Sequence, residues 1–464
     1  MDLLQREKEL AESAIRPLVL KFSIPAIIGM LVNALYNVVD RYWIGQLGDV
    51  NAMSGIGLAT PVMNILLGFS LLVGIGATAN ISIRLGEKRK PEAEAVLGNA
   101  LTLSILIGSA LSIIGLSLAR PMMTAFGASP DTLPYATAYI RIILAGNVFN
   151  TIGFSMNHTI RGGGFPRRSA SAQLIGAGLN VVLDPIFIFG FGLGVRGAAI
   201  ATIISQFVSM IWIMSFYLSG KGMVRLKKVN LRLKAATVRQ IFSIGISSFA
   251  MQIATSFVMI LANRALRTHG GDMAIGAMTV ITSMMILIMM PIFGINQGLQ
   301  PILGYNYGAK NYDRVREALF FGIRLASLIA IGGFALIQVF PQTIIRLFIQ
   351  NETLIEIGTT GMRLYSMMLP VLGFQVISTV YFSSVGKARV SLFLSLLRQV
   401  ILLAPLYLIL PTMFGLVGVW FASPITDLIS TVVTAILIRR ELRILRALAA
   451  SHNQLDLSPS VSDG

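Results

Sequence analysis

The sequence predicts an all-α polytopic membrane protein. It has twelve transmembrane helices in two pseudo-symmetric six-helix lobes, built as parallel repeats with a central cleft. Three observations carry this. The 464 residues are 55% hydrophobic and only 12% charged, against about 25% charged in a soluble protein. Apolar runs of about 20 residues, enough to cross a bilayer, recur along the whole chain. The second half also repeats the first. The absence of cysteine excludes disulfides and thiolate metal sites. A net charge of +17 would suggest nucleic acid if it sat on a soluble domain. Here the basic residues fall between apolar runs, where the positive-inside rule accounts for them, so no nucleic-acid partner is expected.

The spans are read as residues 18–44, 52–82, 94–118, 134–160, 168–190, 194–218, 241–266, 274–303, 315–341, 360–384, 389–411 and 415–438. Residues 1–17 carry mixed charge and read as an amphipathic cytosolic segment, which makes the first apolar run an uncleaved anchor. Basic groups such as Arg84, Lys88, Arg89 and Lys90 alternate with loops that hold few charges. That alternation and an even span count put both termini in the cytosol. The stretch ANISIRLGEKRKPEAEAVL (79–97) aligns with PILGYNYGAKNYDRVREAL (301–319) at a shift of 222 residues. Gly86 then falls on Gly308, Lys88 on Lys310 and Gly164 on Gly386, and a shift of 221 puts Gly194 on Gly415. The repeat divides the chain into a lobe at 18–218, a basic cytosolic linker at 219–240, a lobe at 241–438 and a tail at 439–464. From Ala447 the tail is polar and is expected to lack fixed structure. Six spans per half give both halves the same orientation.

The first span places Asn33, Tyr36, Asn37 and Asp40 at helical spacing on one face. A lone Asp at the bilayer centre costs about 2.5–3.5 kcal/mol, so Asp40 is expected to face protein or water. Pro25 is expected to kink this span near its start. In the fifth span Gln173, Asn180 and Asp184 share a face, and Pro185 disrupts the helix beside the second acid. Freed backbone carbonyls there suit a cation. Thr202, Ser205 and Gln206 add a polar cluster in the sixth span, and the fourth supplies Tyr139, Asn147, Asn150 and Asn157. Two carboxylates among amide and hydroxyl oxygens form a hard-oxygen site, suited to Na⁺ or to a proton shared by an acid pair.

The acids are not duplicated, since Asp40 aligns with Ala262 or Leu261 and Asp184 with Leu406 or Pro405. The second half has one deep acid, Asp427, and two deep bases, Arg324 and Arg398. A buried structural ion pair is the first reading, and a second ion or substrate site at Asp427 is the other. Met284, Met285 and Met289 crowd the eighth span, where soft side chains suit varied flat ligands or ordinary packing. No phosphate-binding loop, nucleophile–base pattern or zinc spacing occurs, so an enzyme is not expected.

With YNVVDRYWIGQLG in the first span, LNVVLDPIFIFGFGLGVRGAAIAT across the fifth and sixth, and the paired LGEKRK and YNYGAKN loops, the chain resembles the multidrug and toxic compound extrusion (MATE) family. The resemblance covers about residues 15–445. It implies secondary active export of amphipathic, often cationic compounds by alternating access, in exchange for Na⁺ or H⁺. It implies no other cofactor, and a bacterial or archaeal cytoplasmic (inner) membrane. A monomer working with the lipid bilayer and small organic substrates is expected. The family's cation residues fall on Asp40, Asn180, Asp184 and Thr202, with Tyr139 and Asn157 nearby. One branch uses acids in the seventh and tenth spans. This chain has Gln252 and Ser256, and Gln375 and Ser378, which points to the prokaryotic branch coupled through the first lobe. A flippase for a lipid-linked precursor is the alternative. It calls for a basic cavity, whereas the polar face of the first lobe is acidic.

Overall fold

A computed structural model describes residues 3–47, 50–220, 222–346 and 352–457. The helices are α1 (Leu3–Glu12), α2 (Ile15–Gly45), α3 (Val50–Gly86), α4 (Lys90–Ala125), α5 (Leu133–Gly162), α6 (Pro166–Pro185), α7 (Val195–Leu218), α8 (Ala235–Gly308), α9 (Tyr312–Val339), α10 (Pro341–Arg346), α11 (Glu352–Tyr365), α12 (Leu369–Ser384), α13 (Ala388–Leu396) and α14 (Ala404–Leu457). Among the described residues, nine helices are long and apolar enough to cross a membrane, with α8 already divided into Ala235–Gly271 and Met273–Gly308. A tenth span is the pair Ile355–Tyr365 and Leu369–Ser384, bent by 48°. Breaking Ala388–Ser451 at Gly415, whose φ of 58° is not helical, gives an eleventh. The 30-residue α5, rich in Asn and Thr, gives the twelfth.

Local chemistry explains the breaks. Pro370 lies in the first turn of α12, where its missing N–H is no loss, but it cannot extend α11. Pro25 sits inside α2, and the helix nevertheless runs on from Ile15 to Gly45. The tail departs from expectation, because α14 continues to Leu457 through a segment rich in Ala and Leu.

Equivalent positions of the repeat share unusual backbone angles. Lys88 and Lys310 both have φ 60°. Gly164 and Gly386 have φ 82° and 79°. Gly194 (φ 52°, ψ −130°) stands just before α7, and Gly415 (φ 58°, ψ −138°) breaks α14 just before its second part. Only glycine enters that last region without strain. Gly194→Ala is therefore expected to lower stability by about 1–3 kcal/mol, and thermal unfolding in detergent checks this.

The packing forms two units. One comprises Ile24–Ile81 and Lys90–Ser256, the other Met1–Ser23, Ser82–Arg89 and Phe257–Gly464. Within the first, the basic linker is tied to α4. Lys227 Nζ meets Glu94 at 2.6 Å, and Arg225 N donates to Glu94 Oε1 at 3.3 Å. Asn99 Nδ2 donates to the Asn230 carbonyl at 3.1 Å, and Lys234 N donates to Asn99 Oδ1 at 2.8 Å. Within the second, α1 is held by an ion pair between Lys21 and Glu9 and by Arg314, which donates to the Leu10 carbonyl at 3.2 Å and to that of Ser13, just past the helix, at 2.8 Å. Buried Glu441 accepts from Lys387 Nζ at 2.5 Å and from the Tyr381 hydroxyl at 3.0 Å.

Candidate functional site

In the first unit, α6 and α7 run antiparallel and pack closely because Gly176 meets the Ser209 side chain and Gly197 meets the Phe187 carbonyl. Small residues at helix crossings let membrane helices approach. The α run of α6 ends at Pro185, which has no N–H to offer the Val181 carbonyl. Ile186–Gly190 continue as a π-helical turn. Trp43 of α2 stacks edge-on against Phe189 of this turn at 6.1 Å, and Ile44 packs with Ile188 and Ala198. These contacts fix one end of α2 against the broken part of α6.

Asn180 and Asp184 lie one turn apart on α6, both buried. Asn180 Nδ2 donates to Asp184 Oδ1 at 3.2 Å and to Thr202 Oγ1 at 3.4 Å. Thr202 in turn donates to the Ala198 carbonyl at 3.0 Å. From α2, Tyr36 comes close to Thr202 and to both acids, and Asp40 comes close enough to Asp184 for the two carboxyl groups to interact. No described N–H or O–H donor reaches Asp184 Oδ2 or Asn180 Oδ1. Ionised carboxylates only accept, so two of them face to face need a proton or a cation between them. The oxygens gathered here come from carboxylate, amide and hydroxyl groups, the hard donors that suit such an ion.

Beside this cluster lies a cavity of about 150 Å³. Asn33, Tyr36, Asn150, Asn157, Gln173, Asn180, Thr202, Ser205 and Gln206 give it polar walls, and Phe149 and Phe154 give it an aromatic one. Asn157 is fixed by hydrogen bonds with Ser169. Gln173 lies against Gly29 of α2, where any larger side chain would displace it. The side chain of Asn37 falls outside the described residues. Tyr139, expected near the acids, is buried instead in an apolar cluster with Ala59, Leu66, Met123 and Ile140. Spacing along α5 could not tell that face from the one carrying Asn157. The aromatic wall escaped the sequence reading, because Phe149 and Phe154 look like ordinary span residues. The glycines and alanines opposite them on α6 were the available signal.

In the second unit, Arg398, within the π-helical stretch Leu397–Leu403, donates from Nε to Asp427 Oδ1 of α14 at 2.7 Å. Ser423 also faces Asp427, at 3.5 Å. Arg324 does not join this pair; it is exposed on α9 beside Glu317 and Arg16. Gln375 Nε2 donates to Ser430 Oγ at 2.5 Å. Met284, Met285 and Met289 are half-buried on α8 and do not line the cavity of the first unit.

Comparison with known proteins agrees with this architecture. The MatE family model matches residues 25–186 and 244–409. The multidrug export protein MepA of Staphylococcus aureus (strain MRSA252) is 27% identical over 409 residues, covering 88% of this chain and 89% of its own. A MOP superfamily transporter from Pyrococcus furiosus superposes with a TM-score of 0.89 at 27% identity, over 94% of this chain and 98% of the other. A MATE crystal structure in the bent conformation gives 0.90 at 26% identity, over 97% and 99%. The matched residues span most of both halves, and the chain belongs to the MatE family of multi-pass membrane transporters.

Proposed function

We propose that this protein is a secondary active antiporter that exports amphipathic, often cationic compounds in exchange for Na⁺ or H⁺ by alternating access. Its work is shared between lobes at 18–218 and 241–438 joined by the 219–240 linker, with both termini in the cytosol. The observation that carries the reading is the meeting of buried Asp184 with half-buried Asp40, with Asn180, Thr202 and Tyr36 around them, and with Asp184 Oδ2 and Asn180 Oδ1 reached by no described donor. Loading this cluster with a cation neutralises repelling carboxylates and draws α2 toward α6. Releasing it restores the repulsion. A ligand shifts a conformational equilibrium only through different affinity for the two states, and a site whose charge changes on loading supplies that difference. The adjoining cavity, polar on one side and aromatic on the other, suits an amphipathic substrate. That the similar MepA of Staphylococcus aureus is a multidrug export protein supports export of small molecules.

Efflux from proteoliposomes with a Na⁺ gradient and a pH gradient imposed separately tests this. Dye export is expected under at least one gradient and to collapse when that gradient is dissipated. Export that ignores both gradients overturns the proposal.

A further inference from the structure

A second recess lies in the other unit, between the start of α2 and the first half of α9. It holds about 280 Å³ and is lined by Arg16, Glu317, Phe320, Phe321 and Arg324. Arg16 and Arg324 are both exposed, and among the described residues neither forms an ion pair. Arg324 belongs to an apolar span, Tyr312–Val339. Phe320, Arg324, Leu328 and Ile331 are exposed at helical spacing, so they form one stripe along α9. In a membrane protein such an exposed apolar stripe faces lipid, and a guanidinium on it needs either the interface or an anion. Arg16 is the second residue of α2 and marks its charged margin. Sharing one recess with Arg16 brings the Arg324 head to that margin, in keeping with the way long basic side chains reach out of the hydrocarbon.

Two arginines against Glu317 leave one net positive charge in the recess, and the phosphodiester of a lipid carries one negative charge. Guanidinium groups bind phosphate oxygens in bidentate fashion. Phe320 and Leu328 continue from the recess as a surface for an acyl chain. We infer that this recess binds an anionic phospholipid, its phosphate held by Arg16 and Arg324 and its chain laid along the α9 stripe. A zwitterionic headgroup would leave the net positive charge uncompensated.

The test is native mass spectrometry of the full chain, titrated with phosphatidylglycerol or phosphatidylcholine. The wild type is expected to retain phosphatidylglycerol preferentially. Arg16→Gln and Arg324→Gln should each weaken that retention about fivefold and leave phosphatidylcholine unchanged. Glu317→Gln, on an exposed side chain, should strengthen it, which keeps the test decisive if an arginine variant fails to fold. Equal retention of the two lipids, or no response of phosphatidylglycerol to any of these changes, overturns the inference. Displacement of the lipid by inorganic phosphate also overturns it, since the recess would then be a site for the free anion.

Discussion

Asp184→Asn is expected to reduce ion-gradient-driven efflux by about two orders of magnitude, the upper range of coupling between linked sites, while leaving a folded protein. The amide keeps the size of the carboxylate and its neighbour Asn180. It removes the charge that opposes Asp40, and it supplies an N–H that Asp40 can accept without a cation. The variant should therefore unfold at the same temperature with and without Na⁺ or added acid, whereas the wild type should respond to at least one. Asp40→Asn is expected to behave alike from the α2 side of the pair. Reconstituted efflux and thermal unfolding measured on the same preparation separate loss of coupling from loss of fold. Full efflux in both variants would remove these acids from the mechanism.

Arg398→Met is expected to destabilise the protein by about 3–5 kcal/mol, because it leaves buried Asp427 without its partner. The 2.7 Å contact joins the π-helical stretch Leu397–Leu403 to α14. The double variant Arg398→Met, Asp427→Asn should recover most of that stability, since a neutral pair needs no compensation. Exchanging the two charges should recover part of it. Unfolding curves for the single and double variants read this directly. If Asp427 were instead an ion or substrate site, Asp427→Asn would abolish transport while stability stayed at the wild-type level, and that outcome would overturn the structural role.

The polar positions show where sequence reading works in this chain. Asn180 and Asp184 could be placed on one face from their spacing alone, and Pro185 announced a disrupted helix, which the structure realises as a π turn. Asp427 could be given a basic partner, but two were available at similar depth. Helical period assigns a residue to a face and says nothing of which neighbour that face meets. The structure chose Arg398 and left Arg324 on an exposed stripe of α9. Tyr139 shows the same limit, since its place on α5 was predictable while its apolar surroundings were not. The continuation of α14 to Leu457 shows another, because polarity alone argues against a packed core and not against a helix.

By itself the sequence determined the class of fold, the helices and the internal repeat. A bilayer admits only segments that satisfy their own backbone hydrogen bonds, so long apolar runs must be helices. The repeat left its mark in matched glycines and lysines whose backbone angles agree between the halves. Tertiary structure alone decided that Tyr36 and Asp40 of α2 meet Thr202 and Asp184, and that an aromatic-walled cavity opens beside them. Those meetings depend on the rotation and tilt of packed helices, which small residues such as Gly29, Gly176 and Gly197 permit through close approach.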